Sequence, residues 1–512
     1  MPNNVILLNS LFVLMMKYFL LIGYNPKKGK KVRNLILRNI DDNKENLKKL
    51  FNNTSDLVLY EFETLSGDKA LVGYLNETIN GGSLNENLLK PLIMNLTSPW
   101  DIRSTVYISP AKEVKDLKDA VPSITNGFVI LFIEGLDFAY LFNLSQWPKR
   151  VVEMPTTEVV IRGPKESFVE DIETNKGLIR RRIKNNNLVF EDYVVGEQTN
   201  TTVSLVFING IVKSEVLEEV RKRIKNIKVD EIIASGNIES YIDENPKALT
   251  ATISFSEKPD VVASKVLEGR VVILTDGASN GLTVPSLFIE NLHSAEDYYI
   301  RSQYSTFLRL LRFIALFMSI TLPGTYIALI NFHQEMIPTQ LLISIAGQRE
   351  GVPLSSSLEA LLMILFFELL KESALRLPKA VGQAVTLVGG LVIGQAAVDA
   401  GIISAAMVIV VAATGMAEFV TPKLREMAAI FRIIFLILGS IAGLYGITLG
   451  MVAMATHLVS LKSFGAPYMW PFAPYNREGM KDTIVKFSIK KLNFRPEVSA
   501  KKNARKRNER ID

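Results

Sequence analysis

The sequence predicts a soluble N-terminal head of α/β or α+β class, followed by an α-helical multi-pass transmembrane domain. Charged residues and short alternating segments fill residues 45–300, whereas residues 313–332 and 400–417 contain no charged side chain. A helix needs roughly 20 apolar residues to cross the hydrocarbon layer, and such runs are rare in soluble proteins. The expected domains are an N-terminal apolar and basic segment, two cytoplasmic lobes, the transmembrane domain and a basic cytoplasmic tail, at 1–44, 45–150, 151–300, 301–465 and 466–512.

The N-terminal segment contains an apolar stretch at residues 5–22 that is interrupted by Lys17. A signal peptide needs a basic start and a small-residue cleavage site, and neither is evident here. We expect an upstream-extended start with Met16 as the initiator, with a membrane anchor as the alternative.

Strand-like and helix-like segments alternate along the head, which favours α/β or α+β architecture. The segment Gln146–Arg150 interrupts this pattern and is expected to separate the two lobes. The predicted strands are 56–64, 127–134, 138–143, 158–162, 188–195, 202–208, 251–256 and 271–275. The predicted helices are 42–52, 84–95, 165–184, 213–227, 237–244 and 260–268.

Four apolar stretches build the predicted transmembrane domain, at 313–332, 382–398, 400–417 and 433–461. The first is long enough to span a bilayer. The second and third are separated only by Asp399 and resemble a tight helical hairpin. The fourth is either one tilted helix or a broken helix that re-enters the membrane.

Glycines in these stretches recur four residues apart, a spacing that lets helix backbones approach closely in lipid. The alternative is that glycine is simply commoner in membrane helices. The predicted helix-packing glycines are Gly390, Gly394, Gly439, Gly443, Gly446 and Gly450.

Residues 357–377 form an amphipathic segment with charges on one helical face. Glu368 can pair with Lys371, and Glu372 with Arg376, at three- and four-residue spacing. Glu359 falls on the opposite side. The segment is either an interfacial helix with a solvated face or a helix that lines a polar pathway.

Basic residues set the expected orientation. Arg301, Arg309 and Arg312 precede the first span, and three further basic residues lie between the third and fourth stretches: Lys423, Arg425 and Arg432. Because positive residues stay cytoplasmic, both head and tail should be inside, which requires an even number of crossings. The segments give five, so one of them must be interfacial or re-entrant.

Composition excludes several kinds of site. The chain has no cysteine, so no thiolate nucleophile or cysteine-ligated metal is available. No dinucleotide fingerprint or nucleophile elbow is present. The sequence therefore predicts neither an enzyme, a metal site nor a cofactor. The basic run at residues 501–510 is expected to contact anionic membrane lipid or to be disordered, and no nucleic-acid-binding motif accompanies it.

The chain contains seven short motifs: Arg162-Gly-Pro-Lys-Glu-Ser-Phe168, Glu296-Asp-Tyr-Tyr299, Leu322-Pro-Gly-Thr-Tyr326, Phe367-Glu-Leu-Leu-Lys-Glu372, Arg376-Leu-Pro378, Gly389-Gly-Leu-Val-Ile-Gly-Gln-Ala-Ala-Val398 and Ser463-Phe-Gly-Ala-Pro-Tyr468. Taken together, they resemble the A subunit of GerA-type nutrient germinant receptors of spore-forming bacteria, and the resemblance covers residues 45–497. Pro353-Leu354-Ser355 departs from the Pro-Phe-Pro usual in that family, which puts the local turn in doubt.

The resemblance implies a multi-pass subunit of the spore inner membrane that works with a permease-like B subunit and a lipoprotein C subunit. The B subunit would bind the nutrient. The A subunit would form a homo-oligomer and transmit the signal as a ligand-gated ion channel, so that ions and dipicolinate leave the core. The auxiliary A-subunit-like protein of the dipicolinate-channel operon is an alternative, and a secondary transporter is a weaker one.

A channel needs polar groups that face a water path. The candidate pathway residues are Glu359, Glu368, Lys371, Glu372 and Gln395, with Asp399 and Glu418 at helix ends. The alternative is that these residues pair structurally.

Overall fold

The computed structural model describes residues 35–108, 112–147, 158, 160–376, 390 and 392–501. The head consists of two lobes, lobe 1 over residues 35–147 and lobe 2 over residues 160–300. A helical domain and a C-terminal tail that returns to lobe 2 follow. The apolar N-terminal stretch and all but Lys501 of the basic run lie outside the described residues.

Lobe 1 is a five-stranded antiparallel sheet with helices on both faces. The strand order is β1-β2-β4-β5-β3. Its strands are β1 Leu57–Glu63, β2 Lys69–Leu75, β3 Lys112–Val114, β4 Phe128–Ile133 and β5 Ala139–Asn143. Its helices are α1 Ile40–Leu50, α2 Gly81–Leu84, α3 Lys90–Asn95, α4 Ile102–Thr105 and α5 Leu117–Ile124, with a π-helical turn at Asn85–Leu89.

Lobe 2 is a second antiparallel sheet of five strands, again covered on both faces. The strand order is β6-β7-β9-β10-β8. Its strands are β6 Leu188–Val195, β7 Thr201–Ile208, β8 Ser254–Ser256, β9 Val271–Thr275 and β10 Gly281–Val284. Its helices are α6 Ile172–Arg182, α7 Ser214–Lys225, α8 Ser235–Ile242 and α9 Pro259–Leu267, followed by 3-10 turns at Phe288–Leu292 and Ala295–Tyr298.

The two lobes repeat one topology, because each sheet has its first, second, fourth, fifth and third strands in that spatial order. Individual hydrogen bonds repeat as well. The buried Asn43 side chain accepts from Leu37 N at 2.9 Å and donates to Leu37 O at 2.6 Å. Asn175 makes the same pair of bonds to Val169, at 2.9 and 2.6 Å. The head is therefore an internal structural repeat.

The predicted elements of the head match the structure in part. Every strand pairing is antiparallel among the described residues, which selects α+β of the two predicted classes. The strand predicted over 158–162 was wrong, because residues 161–163 form bends. The sequence prediction missed β2, β3 and β10.

A buried ion pair joins the lobes. Arg180 of α6 donates to both carboxylate oxygens of Asp56 at 2.9 Å, and both side chains are almost completely buried. Arg180 also stacks over the ring of Phe190. The run Arg180–Arg182 therefore includes one interdomain contact, while Arg181 and Arg182 pair locally with Glu166.

The helical domain contains two helices long and apolar enough to cross a membrane, Ser302–Phe332 and Pro422–Ser460, among the residues described. Residues 392–399 are also helical, while the first half of the predicted hairpin lies partly outside the described residues. The bounds of the main helices are α10 Ser302–Phe332, α11 Thr339–Arg349, α12 Ser356–Arg376, α13 Ala405–Val420 and α14 Arg425–Ser460.

Helix α14 is broken at Gly443, where the backbone adopts φ 57° and ψ −144°. The two arms fold back on each other, since Phe431 lies 6.5 Å from His457 between ring centroids. A Cβ on Gly450 would meet the ring of Phe435 at 3.0 Å. Of the two alternatives for residues 433–461, the structure has the broken helix.

The tail leaves α14 and packs on lobe 2. A short hairpin, β11 Lys462–Ser463 and β12 Ala466–Pro467, begins it. The Ser463 hydroxyl donates to Thr252 O at 2.7 Å and accepts from Ser286 N at 2.9 Å. The helical domain therefore starts and ends on the same lobe.

Candidate functional site

Three helices, α12, α13 and α14, bring charged side chains together inside the helical domain. We call this group the bundle cluster: Glu368, Lys371, Glu418 and Arg432. The Lys371 ammonium lies 2.6 Å from Glu418 and 2.7 Å from Glu368. Arg432 donates to Glu418 and, at 3.1 Å, to Glu368. Arg425, at the start of α14, also lies 3.4 Å from Glu418. The two carboxylates of the cluster are thus shared among three cations.

Arg432 ties this network to α10, because its Nε donates to Ser319 O at 2.9 Å. Its side chain is almost completely buried. The sequence placed Arg432 between two apolar stretches. The structure has it within α14, because this helix begins at Arg425, two helical turns before the uncharged run. The missed signal was its seven-residue spacing from Arg425, which places both on one helical face.

The bundle cluster sits among apolar helices, so its energetics are those of buried ion pairs. Removing one partner of such a pair costs about 3–5 kcal/mol, because the remaining charge is left uncompensated. Glu418 is buried and contacts Lys371 and Arg432, whereas Glu368 keeps 33% of its side chain exposed. Glu368 therefore lies at the edge of the cluster.

Glu359 lies apart from the bundle cluster and is fully buried. It accepts hydrogen bonds from the backbone N and the hydroxyl of Ser404, at 3.1 and 2.8 Å, and Arg349 lies 3.5 Å away. This carboxylate joins α12 to the start of α13.

The remaining predicted pathway residues are exposed. Glu372 pairs with Arg376 at 2.6 Å, as the four-residue spacing predicted. Gln395 donates to Asp399 at 2.9 Å, also on the surface. Neither pair contacts the bundle cluster in the described part of the chain.

The predicted packing glycines fall into two groups. Four of them, Gly439, Gly443, Gly446 and Gly450, lie against neighbouring backbone or side chains. Gly439 faces the carbonyl of Gly324 on α10, and a Cβ on Gly443 would meet Phe332 and His333 at 2.9 Å. A Cβ on Gly394 would make only an ordinary contact with Val408, at 3.5 Å, and one on Gly390 would meet nothing described within 4 Å. The close approach of α10 and α14 thus depends on Gly324. Gly324 belongs to one of the family motifs in the sequence but was not among the predicted packing glycines.

A second charged group, the junction cluster, forms where lobe 2, α10 and the tail meet. Its members are Asp297, Arg309, Arg312 and Asp482. The fully buried Asp297 lies 3.2 Å from Arg309 and 2.7 Å from Arg312. Arg309 also reaches Asp482 of the tail at 2.8 Å. One arginine of α10 therefore binds both lobe 2 and the tail.

Burial governs the protonation of groups beside the junction cluster. It raises the pKa of Asp482, although the Arg309 guanidinium opposes this shift. Burial lowers the pKa of His293 well below its usual range, and Arg309 and Lys265 reinforce the effect. The Tyr298 hydroxyl donates to Asp482 at 2.9 Å, and burial raises the pKa of Tyr298. His293 and Tyr298 are thus neutral near pH 7.

Residues of two separate motifs meet beside this junction. The ring of Tyr299 lies over Gly163, where a Cβ would come within 2.8 Å of the ring. The Tyr299 hydroxyl donates to Asp260 at 2.7 Å. Gly163 has a φ of 132°, which also disfavours other residues. The motifs at 162–168 and 296–299 therefore serve one structural joint.

A cavity of about 380 Å³ lies beside this joint, between lobe 2 and the tail. Its walls include Lys265 and Glu290 on one side and tail residues 491–497 on the other. Lys265 pairs with Glu290 at 2.6 Å. The described residues contain no cluster of histidine and carboxylate side chains that could hold a metal ion.

Comparison with known protein families gives one match over most of the chain. A family model described as Bacillus/Clostridium GerA spore germination protein matches residues 45–498. The chain is 40% identical over 479 residues to spore germination protein KA of Bacillus subtilis strain 168, covering 92% of this chain and 88% of that protein. It is 37% identical over 389 residues to spore germination protein GerLA of Bacillus cereus, covering 75% and 79%.

A solved structure is also similar to the head. The crystal structure of the N-terminal domain of the A subunit of the Bacillus megaterium spore germinant receptor GerK3 aligns with 50% of this chain and 99% of that chain. The sequence identity is 28% and the TM-score is 0.39.

Proposed function

Because this chain belongs to the GerA family of spore germination proteins, we propose that it is the A subunit of a nutrient germinant receptor in the inner membrane of the dormant spore. It transduces nutrient binding into the release of ions and dipicolinate. It does so as a homo-oligomeric ligand-gated ion channel, together with a permease-like B subunit that binds the nutrient and a lipoprotein C subunit.

The observation that carries the channel proposal is the bundle cluster. Charged side chains inside an apolar helical domain are costly, so they are usually paired or line a polar path. Glu368 is both paired with Arg432 and partly exposed. In the proposed mechanism the network of Glu368, Lys371, Glu418 and Arg432 holds four helices together in the resting state, and its rearrangement opens the path.

The same helices support the proposed multi-pass arrangement. The arms of α14 are antiparallel, and α10 starts on the lobe to which the tail returns. An even number of crossings, with head and tail both cytoplasmic, is consistent with this return.

The test replaces Glu368 with Gln in spores and follows potassium and dipicolinate release after nutrient addition. Glu368→Gln keeps the side-chain shape but removes the charge that faces Arg432. We expect a changed release rate at normal receptor abundance. Ser373→Ala, a change of an exposed side chain on the same helix that is not a candidate pathway residue, is the matched control. Unchanged release by Glu368→Gln spores would contradict the pathway role.

Deletion of the gene separates the receptor from the auxiliary paralogue of the dipicolinate-channel operon. Loss of response to a subset of amino acids, sugars or nucleosides supports a receptor subunit and identifies its ligand class. Slower release to every nutrient supports the paralogue instead.

A further inference from the structure

The two lobes differ in which segment of the chain completes the repeated fold. In lobe 1 the chain continues directly from β5, and Ser145 forms a bridge with Ile79. Asn80 N donates to Leu144 O at 2.9 Å, and Gln146 N donates to Thr78 O at 2.9 Å. The segment Leu144–Gln146 thus closes the lobe along the turn that follows β2.

In lobe 2 the chain leaves after β10 for the helical domain, and the C-terminal tail makes the same three contacts. Ala500 forms a bridge with Val212. Lys213 N donates to Ser499 O at 3.0 Å, and Lys501 N donates to Ile211 O at 2.9 Å. The tail therefore occupies in lobe 2 the place that Leu144–Gln146 occupies in lobe 1.

A glycine forms the floor of each position. Gly127 in lobe 1 has a φ of 87°, and a Cβ there would lie 2.8 Å from the Cβ of Ser145. Gly269 in lobe 2 has a φ of 88°, and a Cβ there would lie 2.9 Å from the Cα of Ala500. At both glycines another segment of main chain passes so close that a Cβ would not fit, and only a small side chain can pack against them.

The contacts of the tail are those of a docked peptide. Ser499 is fully buried, and its hydroxyl donates to Glu268 O at 2.9 Å. Ala500 is 1% exposed. Recognition thus depends on main-chain hydrogen bonds and two small side chains, as when an extended peptide adds to a sheet edge. Each such bond contributes little net free energy, so docking of this kind is reversible.

We propose that lobe 2 is an interrupted repeat whose open edge, formed by Ile211–Lys213 and Gly269, is a peptide-docking slot, and that its occupant is the segment Ser499–Lys501 of the same chain. Docking fixes the end of the tail, residues 462–501, on lobe 2, and we call this docked tail the strap. With the strap docked, the chain leaves lobe 2, forms the helical domain and returns to the same lobe. Release of the strap is a step in signal transmission between head and helical domain. It also opens the cavity that tail residues 491–497 wall.

The first experiment tests docking with cysteine pairs in the full-length protein in membranes. The chain contains no cysteine, so each pair is the only one present. Residues paired across a β-bridge lie within disulfide reach. Val212→Cys with Ala500→Cys should cross-link within one chain under mild oxidation. Ile79→Cys with Ser145→Cys, the equivalent bridge of lobe 1, is the matched control.

Two results of this experiment would overturn the same-chain slot. One is a cross-link in the lobe 1 pair but none in the lobe 2 pair, which would place the tail elsewhere. The other is a disulfide-linked dimer from the lobe 2 pair, which would identify a second copy as the donor of the segment. This cross-linking test does not depend on the proposed function.

The second experiment tests release, and it rests on the proposed receptor function. Spores carrying the oxidised lobe 2 pair should release dipicolinate at least tenfold more slowly after nutrient addition, and dithiothreitol should restore the rate. Spores carrying the lobe 1 pair should respond normally. Normal germination of spores with a fully formed lobe 2 disulfide would show that the segment stays docked during signalling and would overturn the strap proposal, while leaving the receptor function intact.

Discussion

Lobe 1 and lobe 2 share a topology but differ in what they are attached to. Lobe 1 completes its own fold with Leu144–Gln146 and contacts lobe 2 through Asp56 and Arg180. In lobe 2 the equivalent segment does not follow the last strand directly, because the C-terminal tail supplies it after the helical domain. Its 3-10 turns also supply Asp297 to the arginines of α10. The same five-stranded lobe is therefore used once as a peripheral domain and once as the base to which the helical domain is attached.

The same difference explains why equivalent positions carry different residues. Five residues after Asn43 stands Lys48, which is exposed on α1. Five residues after Asn175 stands Arg180, which is buried where lobe 1 packs on α6. A long cation at this position is solvated in one lobe and paired with Asp56 in the other.

The largest predicted effect breaks this contact between the lobes. Asp56→Asn leaves Arg180 buried without its carboxylate, which should lower the free energy of unfolding by about 3–5 kcal/mol. Chemical denaturation of the full chain in detergent measures this change. Arg181 is on the same helix as Arg180 and forms an exposed pair with Glu166. Arg181→Gln removes this pair and should cost less than about 1 kcal/mol. Equal losses in the two variants would mean that the lobes do not depend on the buried pair.

The second prediction uses the two equivalent asparagines. Asn43→Ala and Asn175→Ala each remove two hydrogen bonds and leave backbone groups unpaired, which should cost about 1–3 kcal/mol in either lobe. Hydrogen exchange should rise only within lobe 1 for Asn43→Ala. For Asn175→Ala it should rise in lobe 2 and in the tail over residues 462–501. Faster exchange of the tail in Asn43→Ala would show that lobe 1 also supports the strap.

The sequence predicted most strands of this repeat but not the repeat itself. Strands β4 and β6 are continuous or alternating apolar runs and were found at nearly their observed bounds. β10 has only four residues, and β2 contains Gly73, so neither stood out by pattern. The strongest signs of the repeat are hydrogen bonds of the main chain and of two asparagines, which leave little trace in composition. Docking of Ala500 depends on its small side chain, and a single sequence cannot show whether a small residue is required at that position.

The bundle cluster was predictable only where its members share a helix. Glu368 and Lys371 are three residues apart, so helical spacing was enough to pair them. Glu418 and Arg432 lie on other helices, and their meeting depends on how α12, α13 and α14 pack. The charges could be recognised as unusual in an apolar region, but their partners required the tertiary structure.

The last prediction concerns the pH dependence set by Glu239 on α8, in the lobe that contacts the helical domain. Burial raises the pKa of Glu239 to about 7, and Asp243 and Glu426 of α14 add to the shift. Because the folded pKa lies above the ordinary value of 4.5, this group's contribution to stability is complete below pH 4.5 and is lost as the pH rises to about 7. Glu239→Gln should flatten this pH dependence and make the protein more stable than the unmodified chain at pH 8. Thermal unfolding between pH 4.5 and 8 measures this, with the exposed Glu215→Gln as control, and an unchanged slope in Glu239→Gln would assign the pH dependence to another group. Because Glu239 lies on α8 of lobe 2, the pH-dependent loss should be confined to exchange-protected amides of lobe 2.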